Sequence, residues 1–153
     1  MQRFFAAAAL AFAMASTSLI GGLGAHAQTT DRVYDNGTVW RVSAVETKPG
    51  QLRDYMKYLS TTWRATMEAR KQTGDVISYK VLLVDSPRDH EPNLFLMVEY
   101  KNMAVFDRPL SDLDAQTATV FGSVAKAQES AIAREAMRTS RGQVLLRELQ
   151  FTK

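Results

Sequence analysis

Apolar positions recur along the chain with two periods, and the places where the period changes mark the elements. Thr38–Glu46 (TVWRVSAVE) alternates apolar with polar, which predicts a half-buried strand. Lys48-Pro49-Gly50 closes it. From Gln51 onward, apolar residues fall at Leu52, Tyr55, Met56, Leu59, Trp63 and Met67, spaced by three and four, which predicts one helix to about Gln72. Arg70 and Lys71 in its last turn oppose the negative end of the helix dipole, and Gly74 is placed for a left-handed stop. Val76–Val84 (VISYKVLLV) and Leu94–Lys101 (LFLMVEYK) read as strands. The turn-rich Asp85–Asn93 (DSPRDHEPN) joins them as a hairpin with a long loop. Asn102–Arg108 fits a short helical turn, after which Pro109 and Ser111-Asp112 restart the chain. Leu113–Met137 reads as a single Ala-rich helix carrying Val120, Phe121, Val124, Ile132 and Met137; Gly122 weakens it by about 1 kcal/mol relative to Ala. Arg141-Gly142 is expected to end that helix, and Gln143–Phe151 (QVLLRELQF) is the last strand.

Strand, helix, strand, strand, helix, strand is the split βαβ order. It predicts an α+β domain of ferredoxin-like βαββαβ form over residues 38–153, with a four-stranded antiparallel sheet and both helices on one face. Residues 28–37 are expected to be a loose lead-in with a turn at Asn36-Gly37.

Alternation then sorts the strand residues onto two faces. Trp40, Val42 and Ala44, with Ile77, Tyr79, Val81, Leu83, Leu94, Leu96, Val98, Tyr100, Leu145, Leu149 and Phe151, are assigned to the side under the helices. Val39, Arg41, Ser43, Val45, Val76, Ser78, Lys80, Leu82, Val84, Phe95, Met97, Glu99, Val144, Leu146 and Glu148 fall on the other side. That second face is too apolar for open water, so it predicts a homodimer packed sheet against sheet. Arg41 and Lys80 are expected to offset Glu99 and Glu148 there, since buried charges persist when paired.

The first residues have another character. Met1-Gln2-Arg3, the apolar run Phe4–Ala15 and the small-x-small Ala25-His26-Ala27 form a secretory signal, with cleavage expected after Ala27. A membrane anchor needs about 20 apolar residues, and Ser16-Thr17-Ser18 interrupts sooner. No twin arginine appears, so the general export route and a periplasmic destination are expected, with no membrane association after cleavage.

Composition narrows the chemistry. The signal holds one base, Arg3, so residues 28–153 keep 18 of the 19 Lys+Arg against 16 Asp+Glu, a net +2. So near a balance excludes nucleic-acid binding by bulk electrostatics. The absence of cysteine excludes disulfides, thiolate nucleophiles and Cys-type zinc sites. His26 leaves with the signal, so His90 is the only histidine in the mature chain. It stands among Asp85, Asp89 and Glu91 in a segment without regular spacing, which reads as a solvated loop and not a metal site.

Two junctions carry a family likeness: the strand that runs through Lys48-Pro49-Gly50 into a helix, and the strand ending Glu99-Tyr100-Lys101 before Asn102-Met103-Ala104-Val105-Phe106. They resemble the dimeric α+β barrel superfamily, which includes antibiotic-biosynthesis-type monooxygenases, stress-responsive barrel proteins, EthD-like proteins and NIPSNAP-like domains. The likeness covers nearly all of Thr38–Phe151. It implies two sheets closing into a barrel and a small-molecule cavity between sheet and helices in each subunit. It does not choose among oxygenases, isomerases, haem-handling enzymes and members with no known activity. Haem use needs an axial ligand, and neither predicted helix contains a histidine; no cofactor is expected.

Trp40, Tyr55, Trp63, Tyr79 and Tyr100 are the candidates to line such a cavity, where aromatics with polar tips suit a flat organic ligand. The competing reading is an aromatic core. Arg41 with Glu99, and Lys80 with Glu148, read as neutralising pairs before acid–base pairs. No phosphate loop, serine elbow or acidic metal cluster appears. The expectation is an exported small-ligand-binding barrel dimer; the alternatives are a cofactor-independent monooxygenase or isomerase acting on a small aromatic molecule, and a protein-interaction module. Intact-mass measurement of the exported protein is expected to give a chain starting at Gln28; a chain retaining Met1 overturns the signal assignment.

Overall fold

The computed structural model describes residues 32–152; the expected signal Met1–Ala27 and the first part of the lead-in lie outside the described residues. The elements are β1 (Tyr34–Thr47), α1 (Leu52–Tyr58), a π-helical turn (Leu59–Trp63), α2 (Arg64–Gln72), β2 (Val76–Leu83) and β3 (Leu94–Tyr100). A 3-10 turn (Met103–Phe106), α3 (Leu110–Phe121), α4 (Val124–Met137) and β4 (Arg138–Phe151) follow. The sheet order is β2-β3-β1-β4 with every neighbouring pair antiparallel, the ferredoxin-like α+β arrangement. No helix among the described residues is long and apolar enough to cross a membrane.

α1, the π turn and α2 form one continuous helix whose inward residues are Tyr55, Leu59, Trp63 and Met67. Successive steps of four overshoot a 3.6-residue turn by about 40° each, so a pure α-helix would swing Met67 well away from the sheet. The wider i→i+5 turn in the middle takes up part of that drift. Ser60 and Thr61 hydroxyls donate to the Lys57 carbonyl at 3.0 and 2.8 Å, the local competition that loosens a helix. The helix ends as expected at Gly74, with φ +76°, where Asp75 N–H reaches the Arg70 carbonyl and Gly74 N–H that of Lys71.

Beneath this helix lie two buried clusters. Met67 packs with Val39, Val76, Val98 and Tyr100; Tyr55 and Leu59 pack with Val45, Leu94 and Leu96; Trp63 touches both. α3 and α4 lie beside the first helix, α3 against α2 and α4 against α1, and neither holds a fully buried residue.

Several expectations need correction. β1 starts at Tyr34, inside the supposed lead-in: Tyr34 pairs with Phe151 and Asn36 with Leu149, and Asn36-Gly37 is part of a β-bulge and not a turn. The faces of β1 are the reverse of those assigned. Val39, Arg41, Ser43 and Val45 stand opposite Tyr100, Val98, Leu96 and Leu94, so they lie under the helices, and Trp40, Val42 and Ala44 lie on the open face. A bulge in β2 also exchanges Val76 and Ile77: Val76 is buried and Ile77 is 45% exposed. Tyr79, Val81 and Leu83 face the helices, and Ser78, Lys80 and Leu82 the open side, as expected.

The long helix expected over Leu113–Met137 is two helices. Gly122 ends α3 at φ +81°, and Ser123 caps α4 by accepting the Lys126 N–H at 3.1 Å. At the far end, Arg141-Gly142 does not stop the helix. α4 ends at Met137 because β4 is already paired with β1 from Thr47–Arg138, and Arg141 is the extra residue of a bulge. A Gly122 Cβ would meet only the far end of the Lys126 side chain, at an ordinary contact distance of 3.9 Å, so its backbone angle and not crowding is what selects glycine. Gly122→Ala is expected to destabilise the fold by about 1 kcal/mol in denaturant titration, whereas a mid-helix glycine would gain stability from the same change.

Candidate functional site

Three elements enclose a cleft of about 350 Å³ on the helix side of the sheet. α2 supplies Thr66, Ala69 and Arg70, spaced three and four apart on one stripe, and Thr73 follows at its end. α3 supplies Leu113, Gln116, Thr117, Val120 and Phe121, a matching stripe, and the 3-10 turn supplies Val105 and Phe106. The short side chains of Thr66, Ala69 and Thr117 leave the two helices room to stand apart. Arg41 comes up from the middle of β1 and is the sheet's contribution.

Arg41 and Arg70 dominate the electrostatics. Each guanidinium carbon lies 5.2 Å from the centre of the Tyr100 ring, so two cations share one aromatic. Neither arginine takes part in an ion pair among the described residues. Burial holds the Arg41 guanidinium below its ordinary pKa; Tyr100 opposes that shift and the positive charge of Arg70 adds to it. Arg70 Nε and the Tyr100 hydroxyl are both buried without a hydrogen-bond partner. Such orphans are uncommon in folded proteins and cost free energy.

A neighbouring acid is already committed. Asp75, 8% exposed, pairs with Arg108 and accepts hydrogen bonds from Thr73 Oγ1 and Gln116 Nε2, each at 3.1 Å. This network ties the start of β2 to the 3-10 turn and α3, and so fixes the rim of the cleft. It also orients Gln116 and Thr73, two of its polar lining groups.

The aromatic candidates do not form this lining. Tyr55 and Tyr100 are completely buried core residues. The Tyr55 hydroxyl accepts from Arg138 at 3.2 Å; burial pushes its phenol pKa up while Arg138 opposes. Trp63 meets Tyr79 edge-on with ring centres 5.2 Å apart, and the Tyr79 hydroxyl donates to Glu68 at 2.5 Å, which raises the phenol pKa. Trp40 lies on the open face with Lys80 Nζ 5.1 Å from its ring centre. Of the five, Tyr100 alone borders the cleft, through the two arginines above it.

The charge candidates are also redistributed. Arg41 lies on the opposite side of the sheet from Glu99, so that pair does not form. Glu99 instead accepts from Ser78 Oγ at 2.5 Å, and the Thr38 hydroxyl lies 3.0 Å from Glu99 and 2.8 Å from Glu148. One hydroxyl proton serves those two carboxylates in turn. Lys80 makes no ion pair with Glu148 among the described residues, its partner being the Trp40 ring.

His90 adopts φ +64°, with Nδ1 4.0 Å from Glu46 and 3.4 Å from Arg141. Its loop is tied to β1 by Asn93, whose side chain takes the Thr47 N–H at 2.9 Å and donates to Thr47 Oγ1 at 2.7 Å. No group of three or more His, Asp or Glu placed to hold a metal occurs among the described residues.

Of the lining residues, Arg41 alone was a sequence candidate, and for the dimer face; among those passed over, Arg70 is the one that left a signal. It was accounted for by the helix dipole, yet it continues the inward stripe three residues beyond Met67. A cation on a core-facing stripe, with no acid at matching spacing, was the available signal.

No family model matches the chain, and no curated protein matches it significantly in sequence. Among solved structures it is similar to a protein from Shewanella oneidensis at 14% identity and TM-score 0.48, covering 76% of this chain and 96% of that one. It is also similar to a dimeric ferredoxin-like protein from an uncultured marine organism at 10% identity and TM-score 0.47, covering 78% and 91%. A third likeness is to SnoaB, a cofactor-independent oxygenase from Streptomyces nogalater, at 15% identity and TM-score 0.39, covering 73% and 91%. At such identities no residue correspondence follows.

Proposed function

We propose that the protein binds a small organic molecule in the cleft between α2, α3 and β1, acting after export as a homodimer joined through the open face of its sheet. The observation that carries the binding reading is the cleft itself. Its volume falls in the range of about 300–1,000 Å³ usual for small-molecule sites. Its walls are apolar, with Val105, Phe106, Leu113, Val120 and Phe121, and its few polar groups converge from Arg41, Arg70, Gln116 and the threonines. Among the described residues the lining is made of apolar side chains, arginines, threonines and a glutamine, without Asp, Glu or His, which favours binding over acid–base catalysis at this place.

Support for the dimer comes from the open face. Trp40, Val42, Phe95 and Met97 are only half-buried there, and Leu82, Val144 and Leu146 are exposed. The charged groups among them already have partners within the chain: Lys80 on Trp40, Glu99 on Ser78, Glu148 on Thr38. A second copy covering this surface would bury its apolar side chains and bring the Lys80, Glu99 and Glu148 charges of the two copies to one interface, where opposite signs can offset.

Both halves can be tested separately. A mixed panel of small aromatic and aliphatic acids, phenols and amides, followed by NMR of the isotope-labelled protein, is expected to shift resonances of Val105, Val120 and Phe121. Val120→Trp, which fills the cleft, should abolish those shifts while the protein stays folded. No response across the panel overturns the binding reading. Light scattering at micromolar concentration is expected to give a two-chain mass, falling to one chain in Leu146→Glu; a one-chain mass for the unaltered protein overturns the dimer.

A further inference from the structure

The cleft has an unusual floor for one so apolar above. Two guanidinium carbons each lie 5.2 Å from the centre of one tyrosine ring, neither arginine has a carboxylate partner among the described residues, and two buried polar atoms of the same trio lack hydrogen-bond partners. Like charges gathered at low solvent exposure raise the free energy of the empty protein. Elsewhere the chain spends its acids readily: Asp75 neutralises Arg108, Glu135 neutralises Arg138, and Glu46 neutralises Arg141. At Arg41 and Arg70 no acid is supplied.

We infer that the ligand supplies it: the cleft selects small carboxylic acids with an apolar body, the carboxylate seated between Arg41 and Arg70 and the hydrocarbon against Val105, Phe106, Leu113, Val120 and Phe121. This rests on the small-molecule reading above and adds the chemical class. Guanidinium suits the group because its planar fork of N–H donors matches the two oxygens of a carboxylate, and charge-assisted bonds of this kind are about twice as strong as neutral ones. Arg70 Nε is a donor without an acceptor and lies out of solvent's reach, so it marks the cost of holding this guanidinium here, and an incoming oxygen meets the parts of Arg41 and Arg70 that line the cleft. Gln116, held by its bond to Asp75, and the Thr66 and Thr117 side chains complete a polar rim. Thr66 and Thr117 hydroxyls are engaged with the carbonyls of Thr62 and Leu113, so they shape the site and leave the acid to the arginines.

The test compares 2-naphthoate with 2-naphthamide, which share shape and differ in charge, by calorimetry on the full mature chain. The acid is expected to bind at least about tenfold tighter than the amide, the ratio that charge-assisted bonds support. Arg41→Met and Arg70→Met should each shrink that preference, and the double substitution should remove it. A second readout guards against misfolding: because it removes a half-buried cation that has no acid partner among the described residues, Arg41→Met should raise the melting temperature of the ligand-free protein, whereas an arginine that merely packs on Tyr100 would lower it. Equal affinity for acid and amide, or a preference that survives both substitutions, overturns the carboxylate assignment and leaves the small-molecule cleft standing. Failure of both compounds, together with a silent panel of acids, phenols and amides, overturns the cleft as well.

Discussion

The antiparallel register of β1 against β3 decides what lies beneath the helices. With Val39 opposite Tyr100 and Val45 opposite Leu94, the two valines close the ends of the inner face, and Arg41 is carried in between them. A shift of one residue would bring Trp40 inside and put Arg41 on the open face. Because β1 is bonded to β3 on one side and β4 on the other, that register is held along both edges. The cleft, the paired arginines and the apolar reverse of the sheet all descend from it.

Helix geometry supplies the second half of the site. The π turn keeps Trp63 and Met67 on the sheet, and by doing so it brings Arg70, three residues later, over Tyr100. Asp75 then fixes α3 at a set distance through Arg108 and Gln116. Neither the strand nor the helix alone makes a binding site. Both arginines reach the Tyr100 ring because each element is packed for other reasons.

Element order was legible because hydrophobic period and turn chemistry agree wherever the chain changes direction, at Lys48-Pro49-Gly50, at Gly74 and across Asp85–Asn93. The face of β1 was not, because both parities of Thr38–Glu46 carry apolar residues, and Trp40, Val42 and Ala44 form an apolar set while Arg41 and Ser43 interrupt the set of Val39 and Val45. What broke the tie was pairing with β3, which is not written in β1 itself. Bulges escaped notice for the same reason: Ile77 and Val76 are equally apolar, and only the partner strand says which is extra. Gly122 was legible as a weak point in a helix, and Ser123 beside it was the missing half of the stop signal. Tyr100 was rightly placed on the inner face, and the arginines that touch it were each explained by something else, Arg41 by Glu99 and Arg70 by a dipole.

Arg41 stands mid-strand in the most constrained part of the sheet, on a backbone bonded along both edges. Its backbone has little freedom to travel, so in the proposed complex an occupant comes head first to the sheet and leaves its tail among the side chains of α3. Discrimination is therefore strict at the deep end and permissive at the mouth, where the helix that meets the tail holds no fully buried residue of its own. On that reading, homologous compounds of different length would be sorted by their head group and not by their tails.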